Sequence, residues 1–155
     1  MSDERTVTLN DIRYAERLCQ RTARLYRRMQ WFGAVGSVIA AGATLSALTD
    51  LFPEQVSVVG GILFAIFGAS LLVTRPGDKA AMNELDAKRY AAVRAKAPSL
   101  DDKALRMALD EARISDAPEI ETLRDVAYND VAREVGNPDY CVPLNSRQKL
   151  LAALA

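Results

Sequence analysis

Apolar residues are distributed along this chain in two different patterns. Residues 29–49 and 55–74 form uncharged apolar runs, parted only by Asp50-Leu51-Phe52-Pro53-Glu54, whereas elsewhere apolar positions recur at helical spacing. A helix rises about 1.5 Å per residue, so a run of about 20 residues crosses the roughly 30 Å hydrocarbon layer. The pair predicts a transmembrane hairpin. A hairpin buried in a soluble protein is the competing reading, but it calls for a polar face on each helix, and neither run has one over its whole length. A cleaved signal peptide fits poorly, because the first apolar core is too long and a second run follows almost at once.

The remaining elements follow from periodicity and punctuation. Residues 1–9 are polar and expected to fray. From a cap at Asn10, the stripe Ile12, Ala15, Cys19, Thr22, Leu25 or Tyr26, and Met29 predicts an amphipathic helix. No Pro or Gly interrupts it before Trp31, so it should run into the first span as one rod. Pro76-Gly77-Asp78 marks the exit from the second run. A helix over 79–96, with Met82, Leu85, Ala92 and Val93 on one side, should then return alongside the first. Ser99 with Asp102 resembles a capping box opening a third helix to residue 113, carrying Leu100, Ala104, Met107 and Leu109. A fourth helix is expected over 119–134, with Ile120, Leu123, Ala127 and Val131 inward and Gly136 as its stop. A short last helix starts at Ser146 and shows Leu150, Leu151 and Leu154. No strand signal or internal repeat is present. The expected fold class is an all-α membrane protein: a two-helix transmembrane hairpin extended by cytoplasmic helices, with a small C-terminal helical region. Its segments are 1–28, 29–49, 50–54, 55–74, 75–97 and 98–155.

Charge sets the orientation. Arg13, Arg17, Arg21, Arg24, Arg27 and Arg28 precede the first run, and Arg75, Lys79, Lys88 and Arg89 follow the second, while the connecting loop holds only Asp50 and Glu54. Basic residues are retained on the cytoplasmic side, so both termini are expected in the cytoplasm of a bacterial cell and the loop outside the inner membrane. Arg21, Arg24, Arg27, Arg28, Trp31, Phe32 and Arg75 are the expected membrane-interface residues, the arginines attracting acidic headgroups at about 1 kcal/mol each. Arg21, Arg24 and Arg28 also have the spacing to present guanidiniums together to a nucleic acid or second messenger; lipid anchoring is preferred, and nucleic acid is not an expected partner. The 20 basic and 20 acidic residues cancel only as a sum, since the acids concentrate over 101–139.

The two runs differ in side-chain size. The first is mostly Gly, Ala, Ser and Thr; the second carries Val58, Val59, Ile62, Leu63, Phe64, Ile66, Phe67, Leu71, Leu72 and Val73. Bulk suits acyl chains, and small residues let helix backbones approach closely in a bilayer. Gly33, Ser37, Ala40, Ala41 and Thr44 on the first run, and Gly61, Ala65 and Gly68 on the second, are therefore the candidate helix-packing or pore-lining positions, the two stripes being expected to meet. Packing is the simpler reading of Ser37 and Thr44, because no charged ring fixes an ion path.

Catalytic chemistry is sparse. There is no histidine, which removes Ser-His, Cys-His and His-based zinc sites. The acidic pairs Asp101-Asp102, Asp110-Glu111 and Glu119/Glu121 read as helix-start and surface charges. No phosphate loop is present. Cys19 and Cys141 lie on segments expected in the reducing cytoplasm, where they read as small buried hydrophobes. No enzyme activity, metal or cofactor is expected.

The long basic helix leading into Trp31-Phe32 and the first span, the five-residue loop, the second span and the helix from Lys79 onward together resemble the SLATT family of bacterial two-span effectors, associated with nucleotide-signalled antiphage defence. The likeness covers residues 10–97 and carries no catalytic motif; Glu121-Thr122-Leu123-Arg124-Asp125-Val126-Ala127-Tyr128-Asn129-Asp130 lies outside it. It implies a homo-oligomer that perforates the inner membrane when a nucleotide-signalling enzyme or sensor partner is triggered. Two other classes stay open: a holin-like phage lysis protein, for which the region after the second span is long, and a membrane-anchored scaffold recruiting a cytoplasmic partner through residues 99–155.

Overall fold

In the computed structural model of the chain, residues 3–45 and 54–155 are described, and every regular element among them is helical. The helices are α1 (Asp3–Leu45), α2 (Glu54–Thr74), α3 (Pro76–Lys96), α4 (Asp102–Arg113), α5 (Arg124–Glu134) and α6 (Ser146–Leu154), with 3-10 turns at Ala97–Ser99, Glu121–Leu123 and Pro138–Tyr140. The expected loop over 50–54 falls, apart from its last residue, outside the described residues. Contacts divide the chain into two compact units, Met1–Leu25 with Lys79–Ala155, and Tyr26–Asp78.

α1 is continuous, as the absence of Pro and Gly before Trp31 predicts, but it begins at Asp3 and not at Asn10. The N-terminal turns do not fray because tertiary contacts hold them. Arg5 donates to the carbonyls of Ala97 and Leu100 and pairs with Asp102 at 2.9 Å, while Thr8 is buried. α2 ends where Arg75 adopts φ 44° and its N–H bonds to the Leu71 carbonyl at 3.1 Å. Pro76 then opens α3 at the first helical position, where its missing N–H costs nothing.

In the first unit, α1 is packed on two sides. Ile12 and Cys19 join Ala87 and Tyr90 of α3 and Leu105, Leu109 and Ala112 of α4 in one core. Leu18 and Leu25 join Leu123, Val126, Ala127 and Ala155 in a second. Residues 18 and 19 thus face different partners, which is why the stripe read from the sequence is narrower than the buried surface. α3 corrects the expectation more sharply: its buried face is Ala80, Asn83, Asp86, Ala87 and Tyr90, whereas Met82 is 51% and Leu85 60% exposed. Of the expected face only Val93 packs against the core, because the Asn83 amide and the Asp86 carboxylate find hydrogen bonds inside the fold. On α4 the correction is smaller: Leu105, Leu109 and Ala112 are buried and Met107 is exposed. The helix expected from residue 119 begins at Arg124, but Leu123 in the turn before it and Ala127 and Val131 on α5 are inward as expected.

Caps explain the ends. α4 is capped by Asp101, whose carboxylate accepts from the Ala104 N–H at 2.7 Å, and Ser99 instead donates to the Lys96 carbonyl at 2.8 Å. A carboxylate is the stronger acceptor at the positive end of a helix. α5 closes in a Schellman arrangement: Gly136 at φ 79°, its N–H on Arg133 O at 3.2 Å, and the Asn137 N–H on Ala132 O at 2.8 Å. Asn145 and Gln148 form a reciprocal capping box on α6, and the Gln148 amide reaches Asp125 at 2.6 Å, tying α6 to α5.

Leu105 has no exposed surface. Leu105→Ala is expected to lower the unfolding free energy by about 2–5 kcal/mol through lost burial and the cavity left behind, read by urea titration of the full chain in detergent micelles. An unchanged midpoint would remove Leu105 from the core.

Candidate functional site: apolar hairpin and arginine face

Within the second unit, α1 and α2 lie antiparallel in side-chain contact. A Cβ placed on Gly33 would stand 2.6 Å from Leu71 Cδ2, one on Gly36 3.1 Å from the Phe67 ring, and one on Gly60 2.7 Å from Ala43 Cβ and 3.1 Å from the Ala40 carbonyl oxygen. The order 33–71, 36–67, 43–60 reverses along the second helix, as a hairpin requires. Gly61 faces Thr44 at ordinary contact distance, while a Cβ on Gly68 would meet nothing within 4 Å and Ala65 is exposed. Of the two expected stripes, Thr44 meets Gly61 and Ala40 meets the neighbouring Gly60, while Ala65 and Gly68 lie outside the contact. Toward the other end, glycine on α1 receives Leu71 and Phe67, and Gly36, Ala43 and Gly60 join the contact although the sequence reading had not selected them. Spacing marked the small residues, but not which of them face a large partner.

The groove beside this contact measures about 590 Å³ and is lined by apolar groups, among them Gly36, Ile39, Val59, Leu63 and Phe67, with Gln55 at its edge. Thr44 donates its hydroxyl to the Ala40 carbonyl of its own helix at 2.9 Å. Ser37 Oγ is buried with no hydrogen-bond partner, and Ala41 is half-buried. Outside the contact, α2 presents its bulk outward. One helical stretch among the described residues, Val58–Ser99, is long and apolar enough to cross a membrane: its best 18-residue window has mean hydropathy 1.9, and 6% of that window is buried. The apolar part of that stretch is α2. At one end of the hairpin, Gln30 lies against Gly77, and Trp31 and Phe32 stack edge to face with centroids 5.0 Å apart, both exposed. Arg27, Arg28 and Arg75 are exposed as well.

In the first unit, Arg17 and Arg21 have protein partners. Arg17 binds Glu134 through Nε at 3.2 Å and Nη2 at 2.8 Å. Arg21 clasps both oxygens of Asp130 at 2.8 and 3.1 Å and reaches the Ala152 carbonyl at 3.0 Å. This corrects the interfacial reading of Arg21, whose side chain is committed to α5 and α6. Arg13 and Arg94 also approach Glu134, at 4.0 and 3.8 Å. Arg94 of α3 grips Glu16, 7% exposed, at 2.9 Å, and Gln20 donates to the same carboxylate at 3.1 Å. Arg24 is exposed. The hydrogen bond from Arg17 holds the Glu134 carboxyl below the usual range and the guanidinium further in its charged form.

A smaller polar cluster is buried between α1, α3 and the turn after α4. Tyr90 donates its hydroxyl to Asp116, Asp86 accepts the Ala117 N–H at 2.8 Å and pairs with Arg89 at 3.1 Å, and Arg89 continues to Ser115 at 2.7 Å. Burial raises the pKa values of Tyr90, of Asp116 and of Cys19, the last to about 12. Cys19 is thus kept as an inert thiol, and both cysteines are free. The acidic pairs have structural partners too: Asp101 caps α4, Asp102 pairs with Arg5, and Glu119 and Glu121 hold Arg124 at 3.3 and 3.2 Å. Among the described residues, no group of three or more His, Cys, Asp or Glu side chains is placed to hold a metal ion. No protein-family model matches the chain, and neither the curated proteins nor the solved structures include a match.

Glu134 and Asp116 shift in opposite directions, so they act on opposite sides of the acid transition. Glu134, lowered, stabilises the fold above its unfolded pKa, and this is lost as pH falls through the folded value. Asp116, raised chiefly by desolvation, favours folding when protonated, and this is lost as pH rises through its folded value. Glu134→Gln is therefore expected to flatten the loss of stability on acidification, and Asp116→Asn to raise the melting temperature at neutral pH relative to pH 3. Thermal melts at both pH values check this; parallel pH profiles for wild type and Glu134→Gln would contradict it.

Proposed function

We propose that the chain is an inner-membrane protein that inserts α1 and α2 as a two-span hairpin, with both termini cytoplasmic, and self-associates to perforate or depolarise the membrane on a defence signal. The observation that carries this reading is the outward-facing apolar surface of α2, left almost wholly uncovered by the rest of the chain. Such a surface needs lipid or protein against it. Trp31, Phe32 and Arg75 at one end of the hairpin match the aromatic and basic composition of a membrane boundary. The groove of a single hairpin is apolar and Thr44 is satisfied by its own backbone, so a water path requires several copies. The first unit, folded on its own cores, would receive the signal from a nucleotide-signalling enzyme or sensor, as the SLATT resemblance implies.

A membrane-anchored scaffold is the second reading, favoured by the exposed Met107 and Ile114 on the first unit. Removing residues 99–155 does not separate the two, since that segment supplies three of the eight buried residues of one core around α1 and four of the six of the other.

Gly60→Leu does separate them, because it drives a side chain into the Ala40 carbonyl and Ala43 while leaving the first unit alone. Induced expression of the wild type is expected to collapse the membrane potential and arrest growth, and Gly60→Leu to restore both by at least tenfold in surviving cells, at equal membrane abundance. Full potential at high wild-type expression would refute perforation and leave the scaffold.

A further inference from the structure

The groove between α1 and α5 in the first unit is lined by Arg17, Arg21, Arg24, Asp130, Arg133 and Glu134, all of them charged, and measures about 470 Å³. Arg17, Arg21 and Arg24 follow one another at four- and three-residue spacing, which places them on one helix face. The carboxylates of the groove are already engaged. Glu134 is approached by Arg13, Arg17 and Arg94, and Asp130 is clasped by Arg21. Arg17 and Arg21 spend their remaining donors on Gln20 and the Ala152 carbonyl. Arg24 is different: it is exposed and makes no hydrogen bond or ion pair among the described residues. Arg133 is 62% exposed and only approaches Asp130, at 4.0 Å. Two guanidiniums from two helices thus open onto a groove whose own acids are neutralised, with the Arg17–Glu134 and Arg21–Asp130 pairs fixed behind them.

We propose that this groove binds a phosphate-bearing anion between Arg24 and Arg133. Guanidiniums match phosphate oxygens with paired, charge-assisted hydrogen bonds, and the positive surroundings lower the cost of desolvating the anion. The phosphate belongs either to a free solute or to an anionic lipid headgroup; the recognition chemistry is the same. Arg17 and Arg21 are positioning residues, because they hold α5 against α1 and set the width of the groove.

The test uses the full chain in zwitterionic detergent at fixed ionic strength. Pyrophosphate is expected to raise the melting temperature saturably, chloride at equal ionic strength not to, and the double substitution Arg24→Gln with Arg133→Gln to weaken the apparent affinity about tenfold or more. Arg106→Gln, which removes an exposed pair with Glu4 elsewhere, should leave pyrophosphate binding unchanged. A second arm compares stabilisation by short-chain phosphatidylglycerol and phosphatidylcholine in the same micelles. Loss of the pyrophosphate response alone assigns the site to a free anion, and loss of the phosphatidylglycerol response assigns it to the bilayer. If the double variant, folded by circular dichroism, responds to both probes as the wild type does, or if the wild type responds to neither, the proposal is overturned.

Discussion

Arg17 with Glu134, Arg21 with Asp130 and Glu16 with Arg94 fasten α5 and α3 to α1, and the first unit is arranged around that helix. These pairs are partly buried and hydrogen-bonded, which distinguishes them from surface pairs such as Arg106 with Glu4 that contribute little. Their importance lies less in net attraction than in what breaking one leaves behind: a lone charge at a helix interface. They also fix direction. Residues 17 and 21 meet 134 and 130, so α5 runs antiparallel to α1, whereas Glu4 and Asp11 meet Arg106 and Arg113, so α4 runs parallel to it. The neutral sum of 20 basic and 20 acidic residues reflects this pairing of an arginine-rich start with an acidic end.

The second unit is governed by a different constraint. Its two helices touch through glycine and alanine, where the absence of side chains lets backbones approach and dispersion contacts accumulate. Gly60 is the tightest point, since any Cβ there meets backbone atoms of α1 that cannot rotate away. Close packing of this kind does not depend on water exclusion, so it operates in lipid as well as in protein. It leaves the large side chains of α2 facing outward, and these set the environment the unit requires.

How much of this was legible in the sequence depends on which physical term dominates each element. All-α content, the helix order, the continuous α1 and the Gly136 stop were readable, because Pro, Gly and periodicity act locally; the break expected at Pro76-Gly77-Asp78 falls one residue earlier, at Arg75, since Pro76 opens α3. The α3 face was not. Met82 and Leu85 are exposed, while Asn83 and Asp86 are buried, the Asn83 amide donating to the Lys79 carbonyl and Asp86 accepting the Ala117 N–H. The Ala117 partner of Asp86 is distant in sequence and has no local signature. The arginine face lay between these cases: Arg17 and Arg21 share the four-residue spacing of Asp130 and Glu134, a matched pattern that two antiparallel helices bring together. Reading the arginines against lipid alone missed it. On the hairpin, residue size marked the small positions but not their register, which large partners such as Phe67 and Leu71 decide.

The two roles of the arginines are compatible once chain order is considered. On the proposed topology, basic residues before the first span act while that span is being inserted, and Lys and Arg near a span set its orientation then. Asp130 and Glu134 lie far downstream and are synthesised after both apolar runs. Arg17 and Arg21 therefore lack these partners during insertion and acquire them when α5 docks. A charge can direct topology first and hold tertiary structure afterwards, at no cost to either, because domains form as their segments emerge. Arg24 departs from that sequence of events. It stands on the same face but finds no acid on α5, and it is the residue left to meet an anion from outside the fold.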